Sequence, residues 1–213
     1  MVARIAALVS GVVDAGASVV GVRGGTEEPH FTVEQAINGL EIRRYGERVA
    51  AETTISADEE AARNAGFRRL AGYIFGANQG RKKIAMTAPV AQQSGEGKGE
   101  KIAMTAPVAQ ATGSGGEWVI RFFMPAERTL DTLPAPKDEA VRLVTVPAET
   151  IAVLRFTGDR GPRAVASHTA DLLGALEDTD WTATGTPVAW FYDPPWTIPF
   201  LRRNEVAVPV AAR

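Results

Sequence analysis

The sequence predicts an antiparallel α+β domain, a distorted β-barrel or curved sheet that carries two helices and is built from two pseudo-symmetric halves. Three observations lead there. Strand-like segments bracket two helical stretches in one repeated grammar: hairpin strands run to VAAETTI, a helix and MTAPVAQ, and a second set runs to IAVLRFTG, a helix and GTPVAWF. Neither half can bury both faces of its own strands, so the two are expected to share one core. The 213 residues, with 45% hydrophobic and 23% charged content, are ordinary for one large soluble domain that folds without staples.

The first elements follow from turn and cap chemistry. FTVEQAI alternates and meets LEIRRY at Asn38-Gly39, a hairpin dipeptide because a type I′ turn needs positive φ at both central residues. RVAAETTI is a further strand. Ser56 followed by Glu59 reads as a capping box, with Asp58 and Glu60 at the positive end of a helix running from about Ala57 to Phe75. At about 100° per residue, Phe67, Leu70, Ala71 and Ile74 share one side, and Ala62 and Arg69 point away. Arg63 lies one turn before Phe67 on the apolar side, where a guanidinium either snorkels at the sheet edge or faces a ligand groove. Gly76 and Asn78 end the helix.

The phrase KIAMTAPVAQ occurs twice, at residues 83–92 and 101–110. Its period-two alternation and the prolines at 89 and 107 describe a strand reaching an edge or bulge rather than a catalytic motif. A solenoid is excluded because no third copy follows. The first copy, on a short link from the helix, is expected in the core strand, with QSGEGKGE and ATGSGG as linkers. EWVIRFFMP then alternates, with Trp118, Ile120, Phe122 and Met124 on one face and Val119, Arg121 and Phe123 on the other. VRLVTVPAETIAVLRFTG reads as two strands around Pro147-Ala148-Glu149. GPRAVASHTADLLGALED is the second helix, with Pro162 in its first turn and Ala166, Leu173 and Leu176 on its apolar side. TPVAWFYDPPWTIPFLRRNEVAVPV closes the chain as strand, aromatic loop and strand.

Composition removes several function classes. The chain has no cysteine, which excludes disulfides, thiolate metal sites and a cysteine nucleophile. Two histidines, His30 and His168, cannot make a His-rich zinc site. A net charge of -2 gives no field for a polyanion, so nucleic acid is not an expected partner. No nucleophile elbow, dinucleotide fingerprint or Walker loop is present. The N-terminal MVARIAALVSGVVDAGASVVGVRGG is too short in its apolar run to span a bilayer and reads as a peripheral helix or a weak export signal. A cytoplasmic protein is expected, with export or a peripheral membrane contact through residues 1–25 as the alternative.

Among chemistry-bearing residues, His168 is placed to meet Asp171 one helical turn on, and His30 precedes the first strand. The most suggestive segment runs from Trp190 to Arg203. Its aromatics and prolines either line an apolar groove with Arg202 and Arg203 at the mouth, suited to a flat ligand bearing carboxylates, or plug one end of the sheet. For an enzyme reading, Tyr73, Glu41 or a lysine are the acid/base candidates, without paired carboxylates to support them.

The runs EEPHFTVEQAINGLEIRRYGERVAAETTI, GFRRLAGYIFGANQGRKKIAMTAPV, WVIRFFMP and WFYDPPWTIPFLRRNEV, in that order, resemble the SOUL haem-binding protein family over nearly all of residues 27–210. The resemblance implies a single domain over residues 27–213, after an N-terminal segment 1–26, with two helices on an antiparallel sheet similar to the effector-binding domains of bacterial regulators. It further implies a small hydrophobic ligand, b-type haem held non-covalently or another tetrapyrrole, in a shallow groove between the first helix and the loop before the last strand. Those parts correspond here to Arg63, Phe67, Leu70 and Ile74 facing Trp196, Phe200 and Arg202. Some members of the family use an axial histidine, for which His30 and His168 are this chain's only candidates. A carrier or buffer follows, with an enzyme acting on a tetrapyrrole and a small-molecule sensor or membrane-peripheral scaffold as alternatives.

Overall fold

The computed structural model describes residues 27–37, 39–80, 83–85, 87–94, 116–194 and 196–213. The N-terminal segment, the second KIAMTAPVAQ copy and Asn38 of the hairpin turn lie outside them. The chain runs β1 (Phe31–Ile37), β2 (Leu40–Tyr45), β3 (Arg48–Ser56), α1 (Glu59–Ile74), β4 (Val90–Ser94) and β5 (Glu117–Phe123). It continues with β6 (Arg142–Val146), β7 (Glu149–Phe156), α2 (Pro162–Glu177), β8 (Trp181–Ala183), β9 (Val188–Phe191), a 3-10 turn (Pro199–Leu201) and β10 (Asn204–Ala212).

The strands form one antiparallel sheet in the order β1-β2-β7-β10-β9-β4-β5-β3-β6, with β8 pairing β10. The two halves meet at the β4·β9 pair. On one side β5, β3 and β6 follow, and on the other β10, β7 and β2. Each half takes its outer strand from the other part of the chain: β6 leads into β7 yet pairs β3, and β2 leads into β3 yet pairs β7. This exchange explains why neither half can close its sheet alone.

Both faces of the sheet are buried, as period-two strands between two apolar layers require. Beneath α1, Leu70, Tyr73 and Ile74 pack on Ala51, Ile120 and Phe122. Beneath α2, Leu172 and Leu176 pack on Leu40, Ile42, Phe156, Val206 and Val208. The inner face, away from both helices, gathers Tyr45, Phe123, Ile151, Val153, Trp190 and Tyr192 across both halves. The alternation expected for β5 is observed: Ile120, Phe122 and Met124 join the α1 layer, and Phe123 joins the inner face.

The turn and cap signals have mixed outcomes. Gly39 has φ of 82°, as the hairpin requires. Gly76 has φ of 115°, and buried Asn78 donates from Nδ2 to Tyr73 O at 2.9 Å, together ending α1. The N-cap, however, is Asp58 and not Ser56, which is the last residue of β3: Asp58 Oδ1 accepts from Ala61 N at 2.9 Å. A carboxylate in extended backbone satisfies the orphan N–H at least as well as a serine would, and the strand claims Ser56 first.

The helix faces are also rotated from expectation. Ala62, expected to point away, is fully buried, while Phe67 is more than a third exposed and touches the core through an edge contact with Phe122 (centroids 5.4 Å apart). The cause is Gly66. A Cβ there would lie 2.4 Å from Ile120 Cγ1, so the missing side chain lets this line of the helix sink onto β5 and carries Ala62 inward with it. In α2 the buried positions are Leu172 and Leu176, while Ala166 and Leu173 are exposed. The first KIAMTAPVAQ copy supplies β4 and the chain leading into it: Ile84 packs under α1, Ala88 and Ala91 reach the inner face, and buried Thr87 donates from Oγ1 to Phe123 O.

Candidate functional site

The seam between the two halves, on the helix side, is where charge concentrates. Phe191 ends β9 with its side chain on this face, and two guanidiniums sit over its ring, with Arg63 Cζ at 4.9 Å and Arg160 Cζ at 5.8 Å. Arg63 comes from the first turn and a half of α1, and Arg160 from the connection between β7 and α2. Arg63 Nη1 donates to Arg160 O at 3.2 Å and approaches Gln92 Oε1 of β4 at 3.5 Å. Arg160 Nη1 donates to Asp193 O at 2.9 Å. These hydrogen-bond partners are neutral acceptors, and the nearby carboxylates act on the two guanidiniums through their charge.

Their proton affinities register the crowding. Burial lowers the Arg63 pKa, with Glu59, Glu60 and Asp159 opposing the shift. Burial also pushes Arg160 down, to about 10, and the neighbouring charges of Arg63 and Arg202 lower it further, with Asp193 and Glu60 opposing the shift. An anion delivered here would relieve a repulsion already present. Asn204, the first residue of β10, adds a second feature: it is buried between the strand partners Phe156 and Phe191, and neither its Nδ2 nor its Oδ1 has a hydrogen-bond partner.

The aromatic loop is tied down beside this seam. Arg203 N donates to Asp193 Oδ2 at 2.6 Å, closing the loop's base, and Gly158 N donates to Pro199 O at 2.9 Å, fastening its 3-10 turn to the segment that holds Arg160. Arg202 Nε donates to Thr197 O at 2.8 Å within the loop. Trp196 and Phe200 are left 63% and 71% exposed.

The structure therefore sorts the residues expected at the groove. Arg63 neither snorkels nor opens to solvent. It is 8% exposed and clamped over Phe191, and its charge, like that of Arg202, acts on Arg160. Phe67, Trp196 and Phe200 are surface aromatics. Leu70 and Ile74 are fully buried in the α1 layer, where they support the helix beneath Phe67 instead of lining an open groove. Arg160 is not among the residues the sequence points to, because nothing in GDRGPR distinguishes one loop arginine from another.

Arg203 does not stand at the mouth with Arg202. It turns to the inner face, where a fully neutralised cluster lies. Arg43 binds Glu205 bidentately (Nη1 to Oε2 2.9 Å, Nη2 to Oε1 3.1 Å), Arg203 Nε reaches Glu205 Oε1 at 3.0 Å, and the Tyr192 hydroxyl donates to Glu205 Oε2 at 2.6 Å. Glu28 takes the other edge of Arg203, and Glu41 takes Arg43 Nε at 2.7 Å. Burial by itself would raise the Glu205 pKa, but the hydrogen bonds and charges of Arg43 and Arg203 hold it below the ordinary carboxylate value. The acid/base candidates find structural employment here and elsewhere: Glu41 pairs Arg43, and the Tyr73 hydroxyl donates to Pro134 O with its pKa pushed up to about 12 by burial. The histidines are separated. His168 stacks on Phe156 (centroids 4.2 Å apart) with Nδ1 3.3 Å from Asp171 Oδ2, the contact expected along the helix, and exposed His30 borders cavities near the start of β1.

The sequence profile of the SOUL haem-binding proteins matches residues 26–98 and 92–209. The chain belongs to the SOUL haem-binding family. No curated protein sequence matches it significantly. Among solved structures it is similar to the C-terminal domain of EcmrR, at 12% identity and a TM-score of 0.56, over 82% of this chain and 98% of that one. EcmrR in a complex with DNA gives 11% identity and a TM-score of 0.58 over 82% of this chain, which spans 57% of that chain. A hydrolase from Listeria innocua gives 9% identity and a TM-score of 0.54, over 84% and 94% of the two chains. At these identities the likeness is one of fold: a curled antiparallel sheet with two helices, as expected. Among the described residues, no group of three or more His, Asp or Glu side chains is arranged to hold a metal ion, and no helix is long and apolar enough to cross a membrane.

Proposed function

We propose that this SOUL-family protein is a haem or tetrapyrrole carrier or buffer that binds its ligand non-covalently at the helix-side seam. The observation that carries the reading is the convergence of Arg63 and Arg160 on Phe191, with Arg202 close enough to add to their repulsion. The residues fit such a group. Arginines pair bidentately with carboxylates, which a tetrapyrrole carries on its propionates, and the exposed rings of Phe67, Trp196 and Phe200 offer apolar area to a flat macrocycle. Leu70 and Ile74 serve this site from below by fixing α1 on the sheet. Iron chemistry belongs to the bound group, and the chain's own part is to hold the carboxylates and shield one face of the ring.

Titration of the full chain with haem, followed by its Soret band, tests the reading. Saturable micromolar binding is expected, with affinity lost in Arg160→Glu and Trp196→Ala. Absence of saturable binding in that range overturns it. Metal-free protoporphyrin in the same assay, with His30→Ala and His168→Ala, separates carboxylate and ring recognition from axial ligation of the iron.

A further inference from the structure

We propose that the cavity at the end of the sheet where β3 starts and β5 finishes is a second small-molecule site, which takes an uncharged amphipathic molecule through a carbonyl or similar neutral acceptor oxygen. This cavity of about 500 Å³ lies between residues 27–30, the start of β3 and the loop after β5, and Phe191, Arg63 and Arg160 are not among its lining residues. Its volume is that of a small-ligand site. Pro29, Val49, Met124 and Leu130 supply apolar wall, and Arg48 and Arg128 supply donors.

Arg48 is the decisive residue. Its side chain is only 9% exposed and its guanidinium packs over the rings of Tyr45 and Phe123, with Cζ at 4.5 and 4.9 Å. One nitrogen, Nη2, bonds Glu149, whereas Nε and Nη1 are buried with no hydrogen-bond partner. Arg128 Nε in the same cavity wall is also a buried donor without a hydrogen bond, although Glu127 lies 3.7 Å away. A buried cationic N–H left without an acceptor carries a desolvation penalty that an exposed one, bonded to water, does not, and native proteins rarely leave such groups unpaired. An acceptor arriving in the cavity would meet two such residues.

The charge around the cavity decides what kind of acceptor. Glu27 and Glu47 line it alongside Arg48 and Arg128, and Glu149 already neutralises Arg48. Glu27 Oε1 is itself held by Ala126 N at 2.7 Å. A carboxylate or phosphate would therefore face three like charges against two cations, with His30 as the remaining titratable group at the wall. A carbonyl takes the same hydrogen bonds without that repulsion. Because the unpartnered nitrogens are sealed from solvent, binding has to turn the Arg48 guanidinium toward the cavity, and its Nε–H resonance reports that movement.

Nitrogen-15 labelled full-length protein is titrated with benzylacetone, a neutral ketone, and with hydrocinnamate, which carries the same phenylethyl body on a carboxylate. Expected are saturable shifts at the Val49, Met124 and Leu130 amides and at Arg48 Nε–H, with Arg63 and Phe67 unmoved, and hydrocinnamate weaker by roughly tenfold or more, about 1.4 kcal/mol. Arg48→Met is expected to abolish the shifts. Leu130→Glu, at the exposed rim, repeats the loss should Arg48→Met fail to fold. The proposal is overturned by the absence of saturable shifts, by shifts confined to the helix-side seam, by hydrocinnamate binding as well as the ketone, or by undiminished ketone binding in Leu130→Glu.

Discussion

Two groups of buried and half-buried arginines lie on opposite faces of the same sheet, and they differ in what surrounds them. On the inner face, Arg43 and Arg203 share Glu205 and each has a further carboxylate, Glu41 or Glu28; burial lowers both pKa values, but Glu205 and Tyr45 raise Arg43, and Tyr192, Glu205 and Glu28 raise Arg203, above the ordinary value. At the helix-side seam, Arg63 and Arg160 are held by carbonyl and amide oxygens, stack on one phenylalanine and have their pKa values lowered. The first group has its hydrogen-bond acceptors in carboxylates, whereas the second is bonded to neutral oxygens, with Glu59, Glu60, Asp159 and Asp193 acting on it only through their charge. Burial of an arginine is thus no sign of function by itself, and the identity of its acceptors separates the two cases.

Removing the shared carboxylate should break the contrast most severely. Glu205→Ala leaves Arg43, Arg203 and the Tyr192 hydroxyl facing one another without their common acceptor and is expected to cost about 3–5 kcal/mol in urea unfolding. The same cluster sets the pH limits. Glu205 titrates lower in the folded than in the unfolded chain, so its stabilisation is present above the ordinary glutamate value near ~4.3 and is lost as pH falls through the depressed folded value. Tyr192 behaves in the opposite sense. Burial and then the Glu205 charge hold its pKa well above the usual value of 10.0, so its contribution is complete below that pH and declines as pH rises beyond it. Thermal unfolding across acid and alkaline series checks both limbs, and Tyr192→Phe should reduce the alkaline one, with the raised Tyr73 and Tyr45 supplying the remainder.

Gly66→Ala is the next largest expected effect. The added methyl would lie 2.4 Å from Ile120 Cγ1 and 2.7 Å from its Cβ, so α1 must lift from β5 at a cost of about 1–3 kcal/mol. Because α1 carries Arg63, haem affinity should fall together with stability. Arg160→Met sharpens the comparison by uncoupling the two: it relieves the repulsion with Arg63 and Arg202, so stability should hold or rise while haem affinity falls by roughly tenfold, about 1.4 kcal/mol. A matched loss of stability would place Arg160 with the structural arginines instead. The smallest effect is expected from Asp58→Ala, about 1 kcal/mol of unfolding free energy from the lost bond to Ala61 N, with affinity unchanged.

Much of the fold was legible because it depends on local periodicity. Alternation identified β5 and its two faces, Asn38-Gly39 placed the first hairpin, Pro162 the start of α2, and the repeated grammar the two halves. The site was legible only in part. The exposed Trp196 and Phe200 and the arginine at 63 could be named from composition and family likeness, but Arg160 could not, and Arg202 and Arg203, adjacent in sequence, could not be assigned to different faces.

The chain by itself determined its class, its elements and its exclusion from cysteine and His-rich metal chemistry, since these follow from residue types and spacings of 2 and about 3.6. Tertiary structure decided the rest. Whether Ala62 or Phe67 faces the sheet depends on how closely a glycine lets a helix approach, and whether an arginine is neutralised or left positive depends on strands that are distant in sequence, such as β2 and β10, meeting through β7. Those are distances between elements, which no local pattern encodes.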